Sequence, residues 1–158
     1  MVQEKDYSTY YTVEELRRNR DNNINDFIVR KIEPGQTVLD CGAGLGITAK
    51  KLKDKGCKVT CIDIKPNYVD EMRKLGLKAE IGDIRKLPFK DKEFDVAMAE
   101  EVIEHLDNPG AGIKELCRVA HKVLYTMPKS NGEPWHLWHI HVESAASSNL
   151  FTLEETGK

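Results

Sequence analysis

Apolar and polar positions change period repeatedly along this chain, and each change marks an element. Thr37-Val38-Leu39-Asp40 is a compact apolar run of the length a buried strand shows. Pro34-Gly35 breaks the chain before it, and the glycine-rich stretch Gly42–Gly46 turns it afterwards. Ile47–Lys55 then predicts a helix ending at Gly56. The cycle recurs: Lys58–Ile62 predicts a strand, Pro66–Leu75 a helix closed by Gly76, and Lys78–Ile81 a third strand. Phe94–Ala99 reads as a fourth strand, followed by a short helix around Val102–Leu106. Asn108-Pro109-Gly110 interrupts the chain before a helix carrying Ile113, Leu116, Cys117 and Val119, and Lys122–Thr126 is a fifth strand. Upstream, Thr12-Val13-Glu14-Glu15 has capping-box spacing for one helix, and Ile24, Phe27, Ile28 and Ile32 mark a second. Beyond Pro128 the pattern weakens. Ser144–Ser148 looks like a loop and Leu150–Leu153 like a last strand.

Strands alternating with helices at this spacing imply parallel pairing and right-handed crossovers. The expected fold is therefore α/β, a three-layer α/β/α sandwich on a mostly parallel, Rossmann-like sheet with a shortened C-terminal end. One domain, 1–158, accounts for the whole chain, with no internal repeat.

Composition narrows the partners. The 158 residues carry 24 Lys+Arg against 26 Asp+Glu, a net charge of −2. A balanced chain exerts no global attraction on nucleic acid or anionic membrane. No apolar run approaches the roughly 20 residues of a membrane span, and the first residues, Met1–Asp6, lack a signal peptide's apolar stretch. Cys41, Cys57, Cys61 and Cys117 form no zinc-binding pattern. Three lie in or beside strands, where free cysteine packs as a small apolar residue. Reduced thiols and a cytoplasmic location are expected.

In open α/β sheets ligands bind beyond the carboxyl ends of the strands. Acidic and glycine residues gather there: Asp40 to Gly46 after the first strand, Asp63 after the second, Asp83 after the third, Glu100 and Glu101 after the fourth. A dinucleotide is one occupant to consider, because Gly42-x-Gly44-x-Gly46 with Asp63 downstream resembles that fingerprint. Charge argues against it. Asp40 would face the pyrophosphate, and two like charges about 4 Å apart repel by roughly 4 kcal/mol at an effective dielectric of about 20. A cationic ligand would be attracted instead.

Val38-Leu39-Asp40-Cys41-Gly42-Ala43-Gly44-Leu45-Gly46 resembles the first motif of class I methyltransferases. Ile62-Asp63-Ile64 and Gly82-Asp83-Ile84 resemble the two motifs that follow. Leu87-Pro88-Phe89 with Glu93-Phe94-Asp95-Val96 is similar to the subgroup that includes ubiquinone and menaquinone biosynthesis enzymes. The resemblance implies S-adenosyl-L-methionine as methyl donor, held by Asp40, Gly42, Ala43, Gly44, Asp63, Ile64, Asp83, Ile84 and Glu100. Asp63 would take both ribose hydroxyls; Asp83 and the backbone N–H after it would meet the adenine. It further implies a helical lid over 1–33 including Tyr7, Tyr10 and Tyr11, a donor-binding core over 34–128 and an acceptor-side segment over 129–158.

Methyl transfer asks the protein to align nucleophile and methyl and to exclude water. If the acceptor must lose a proton, Glu104 and His105 are the candidate catalytic residues. Glu101, Glu104 and His105 stand at i, i+3 and i+4, on one face of a helical turn. The same string is similar to small-RNA 2′-O-methyltransferases. That resemblance implies a metal on Glu101, Glu104, His105 and a later histidine, with His139 the choice and His136 and His141 beside it. Trp135 and Trp138 would stack a planar acceptor or cover the sheet edge. A small-molecule acceptor without a resident metal or membrane partner is the leading expectation. RNA as acceptor, a non-catalytic donor-binding module and, more distantly, a NAD-linked dehydrogenase stay open, as does the oligomeric state.

Overall fold

The six strands of the sheet stand in the order β3-β2-β1-β4-β5-β6. They belong to a computed structural model that describes residues 23–127 and 136–141, with side chains described for 26–127. In chain order the elements are α1 (Asn23–Arg30), β1 (Thr37–Cys41), α2 (Ile47–Asp54), β2 (Lys58–Asp63), α3 (Pro66–Lys74) and β3 (Lys78–Ile81). There follow β4 (Phe94–Glu100), a 3₁₀ turn over Ile103–His105, α4 (Pro109–Val119), β5 (Ala120–Met127) and β6 (His136–His141). The first five strands pair in parallel, and β6 runs antiparallel to β5.

Alternation within the strands explains the layers. Leu39, Cys41, Ile62, Ala97, Ala99, Val123 and Tyr125 bury one face against Leu116 and Val119 of α4. Val38, Val96, Met98 and Leu124 turn the other way, onto Ile28 of α1, Ile32 just beyond it and Leu52 of α2. Cys61 and Ala79 continue that second face onto Val69 and Met72 of α3. A parallel sheet covered on both faces needs such doubly apolar strands. Lysines close two helices: Lys55 Nζ donates to the carbonyls of Val29 and Ile32, and Lys92 Nζ to those of Cys117 and Ala120.

The chain leaves β1 for β2 and β3 on one side, then returns to β4 on the other. The crevice at that switch point opens beyond the carboxyl ends of β1 and β4. Two strands run further than their apolar pattern suggested, so Asp63 and Glu100 are the last residues of β2 and β4 rather than the first of the loops. The expected short helix at Val102–Leu106 is a single 3₁₀ turn. The aromatic-histidine stretch forms β6, which adds an antiparallel edge to the five parallel strands. The lid helix and its tyrosines, Trp135, the Ser144–Ser148 loop and Leu150–Leu153 lie outside the described residues. All four cysteines are free. No helix among the described residues is long and apolar enough to cross a membrane.

Candidate active site

The turn after β1 is shaped by its glycines. Gly42, Gly44 and Gly46 have φ of 71°, 55° and 73°, torsions that cost residues with a Cβ. Gly42 and Ala43 both donate to the carbonyl of Ile62, at 2.7 and 3.1 Å, which ties the turn to the end of β2. A Cβ on Gly42 would collide with Val102, so the backbone and that side chain close on each other from opposite loops. Asp40 stands just before the turn, 2% exposed, in register with Cys61 of β2 and Met98 of β4. Asp40 thus sets a buried carboxylate near a strand end, beside glycines in left-handed torsions.

Asp63 and Asp83 differ in what they have left to offer. The Asp63 carboxylate is 6% exposed. Its Oδ2 accepts from Gly44 N at 2.9 Å and its Oδ1 from Lys65 N at 2.9 Å. A carboxylate has about four lone-pair positions, so Asp63 keeps one on each oxygen among the described residues. Two hydroxyl donors fit that remainder. Ile64 beside it is 54% exposed, an apolar side chain at the mouth of the site. Asp83 is held by its own loop, through three N–H groups of Arg85. Its Oδ1 accepts from Arg85 N and Arg85 Nε, at 2.8 and 3.0 Å, and its Oδ2 from Arg85 Nε and Nη2, at 3.1 and 2.6 Å. The Arg85 guanidinium holds the Asp83 carboxyl below the usual carboxylate range. Ile84, between them, buries its side chain in the core.

The fourth loop carries the remaining acids. Glu100 Oε2 accepts from Thr48 Oγ1 at 2.6 Å, joining the end of β4 to the start of α2. Glu101 is not part of a helical turn with Glu104 and His105; its φ is +55°, and only Ile103–His105 is helical. The backbone N–H of Glu101 donates to Thr126 Oγ1 at 3.0 Å and to the Thr126 carbonyl at 3.3 Å, which holds that strained conformation in place. Sequence spacing therefore gave the right neighbours by the wrong geometry. Glu101 Oε1 and both carboxylate oxygens of Glu104 are buried, with no hydrogen-bond partner among the described residues. Burial pushes the Glu104 carboxyl up to about 7, and the adjacent Glu101 carboxyl adds to the rise. His105 Nε2 lies 3.8 Å from Glu104 Oε1, with its side chain 47% exposed.

The metal candidates reach into β6, whose side chains lie outside the described residues. Among the described residues no group of three or more His, Cys, Asp or Glu is able to hold a metal ion. The β6 register pairs His139 with Leu124, whereas His136 pairs with Met127 and Leu137 with Thr126. At about 3.4 Å per residue, the His139 backbone stands roughly 7 Å back along the sheet from the Thr126 level. A histidine at the Glu101 level would be His136. Sequence reasoning missed Val102, Thr48, Thr126 and Arg85. None of the first three carries a motif, and only the Asp83-x-Arg85 spacing hinted at the fourth.

Residues 39–123 match the family model described as a methyltransferase domain, more than half of the chain. The chain belongs to this methyltransferase family. It is 30% identical over 88 residues to a malonyl-(acyl-carrier protein) O-methyltransferase of Serratia marcescens, covering 54% of this chain and 34% of that protein. It is 37% identical over 94 residues to a 2-methyl-6-phytyl-1,4-hydroquinone methyltransferase of Synechocystis, covering 56% of this chain and 30% of that one. The chain thus spans about a third of the length of these curated relatives. A solved structure from Pyrococcus horikoshii superposes with a TM-score of 0.65 at 21% identity, covering 77% of this chain and 70% of that one. That likeness concerns the fold. The match runs from Leu39 of β1 to Val123 of β5, and so includes the loops after β1, β2, β3 and β4.

Proposed function

We propose that this methyltransferase takes the methyl group of S-adenosyl-L-methionine and delivers it to a small-molecule acceptor in the cytoplasm. The observation that carries the donor assignment is Asp40, a buried carboxylate set against a turn of left-handed glycines. A positively charged donor gains there what a pyrophosphate would lose. The residues fit such a donor: Gly42 and Gly44 let backbone approach its amino-acid portion, and Asp63 retains two acceptor positions for a diol. The donor supplies a methyl carbon already activated by its sulfonium. One relative is named for a hydroquinone and another as an O-methyltransferase of a malonyl-acyl-carrier protein, which supports an acceptor that bears oxygen.

The chain's own part is alignment and proton handling. Val102 packs over Gly42 and so places the Glu101–His105 loop against the donor turn. A hydroxyl acceptor forms its new bond to the methyl carbon as the carbon–sulfur bond breaks, and the acceptor proton passes to the Glu104 carboxylate. A carboxyl held near 7 is matched to that task at neutral pH. Because the base must be ionised, turnover should rise as pH passes through about 7. Methyl transfer from labelled donor to a panel of hydroquinones and carboxylic acids, followed from pH 5.5 to 8.5, tests this reading. Glu104→Gln should lose turnover by on the order of 10²–10⁴-fold while keeping donor affinity. Turnover by the variant at the wild-type rate would remove Glu104 from catalysis, and tight donor binding with no acceptor turned over would leave a binding module.

A further inference from the structure

Asp40 shares its face of the sheet with a second acid. Val38 of β1 and Met98 of β4 both pack with Ile28 of α1 and Leu52 of α2. Alternation therefore puts Asp40 and Glu100, each two residues further on, on that same face. Asp40 is in register with Met98, so Glu100 stands two residues, roughly 7 Å, nearer the carboxyl edge on the neighbouring strand. Thr48, in the first turn of α2 and 4% exposed, donates from Oγ1 to Glu100 Oε2 at 2.6 Å. That is the length of a hydroxyl bond to an ionised carboxylate. Glu100 Oε1 is buried as well. The N-cap of α2 is Gly46, which has no side chain, and the first turn contains no acid. Thr48 thus brings a carboxylate to the start of this helix from 52 positions away in sequence.

We propose that Thr48 is a positioning residue: it holds Glu100 beside the glycine turn, so that Asp40 and Glu100 together bracket the ammonium of the donor's amino-acid portion. The inference rests on the donor assignment above and concerns only that end of the donor. An ammonium has three N–H groups to place, and two carboxylates on adjacent strands approach it from two directions. Without the Thr48 hydroxyl the Glu100 side chain regains rotamer freedom, and ordering it again when the donor binds costs affinity. Serine supplies the same hydroxyl, whereas valine keeps the shape and loses the donor. The effect is selective. Ribose and base meet other loops, so a ligand that lacks the ammonium gains nothing from Thr48.

The test is equilibrium binding by calorimetry of S-adenosylhomocysteine and its deaminated counterpart, in which hydrogen replaces the α-amino group, to the full chain. Wild type should favour the amino form by roughly thirtyfold or more, the worth of two charge-assisted contacts. Thr48→Val should cut that preference about tenfold, by weakening the amino form while the deaminated form changes less than about threefold. Thr48→Ser should keep the wild-type preference. Glu100→Gln, whose amide oxygen still accepts from Thr48, should cut the preference as Thr48→Val does. Adding Thr48→Val to Glu100→Gln should cut it no further, as expected of a residue that acts through the carboxylate. A merely structural role for Thr48 would weaken both ligands alike. That result, a wild type indifferent to the amino group, or an unchanged preference in Thr48→Val or Glu100→Gln would overturn the proposal while leaving the donor assignment intact. Failure of wild type to bind S-adenosylhomocysteine would overturn both.

Discussion

At the scale of single residues, the site is defined by side chains or torsions that ordinary packing would avoid. Gly42 combines φ of 71° with a close approach to Val102. Gly42→Ala should therefore cost roughly 2–5 kcal/mol, the sum of a left-handed torsion and local overpacking. Urea unfolding measures this loss, and adding Val102→Ala should recover the packing part only. Glu104 has the opposite sign from most carboxyls. Its pKa in the fold, about 7, lies above its ordinary value, so the folded state binds more protons than the unfolded state between those limits. Stability contributed at low pH is lost as pH rises through about 7. Glu104→Gln, which offers Glu101 an N–H donor, should raise the melting temperature at pH 8 and change it little at pH 4.5. Equal shifts at both pH values would contradict the assignment. Asp40 and Asp63 were legible in the sequence because each ends an apolar run. Arg85's hold on Asp83 was not, since spacing alone does not say whether a carboxylate faces a ligand or a neighbour.

At the scale of elements, each loop of the site is positioned by a bond to another strand or helix. Thr48 holds Glu100, Gly44 is held by Asp63, and Glu101 is held by Thr126. Thr126 is fully buried, so Thr126→Val keeps the volume but leaves the Glu101 N–H with the weaker carbonyl contact alone. The expected loss is about 1–2 kcal/mol in unfolding free energy, with a fall in turnover as Glu101 leaves its strained conformation. Unchanged stability and turnover together would show that Thr126 does not position this loop. The parallel strands were readable from apolar runs bounded by glycine and proline, and their centres agree with the sequence reading. Their ends were not, because Asp63 and Glu100 continue the ladder as polar residues. The expected helix at Val102–Leu106 shrank to a 3₁₀ turn because Glu101 adopts a left-handed torsion. No helical pattern announces that torsion. The antiparallel pairing of β6 rests on register with β5, which a stretch rich in tryptophan and histidine does not specify by itself.

At the scale of the whole molecule, the sheet order brings four loops to one edge, and the methyltransferase family match covers all four. Among the described residues helices pack on both faces of the sheet, which leaves the carboxyl edge at the switch point for the proposed donor. This much followed from the alternation of strands and helices. The acceptor did not: the segments expected to enclose it, 1–33 and 129–158, lie largely outside the described residues. Charge decides between the two occupants the glycines allow: Asp40 favours a cation and opposes a pyrophosphate. Calorimetric titration with S-adenosylmethionine, its demethylated product and NAD puts that choice to the protein directly. The expected result is binding of S-adenosylmethionine, with NAD weak or silent, and a loss of about 1–3 kcal/mol for the donor in Asp40→Ala, as for one charge-assisted contact. Preferential binding of NAD, or an Asp40→Ala variant with unchanged donor affinity, would contradict it.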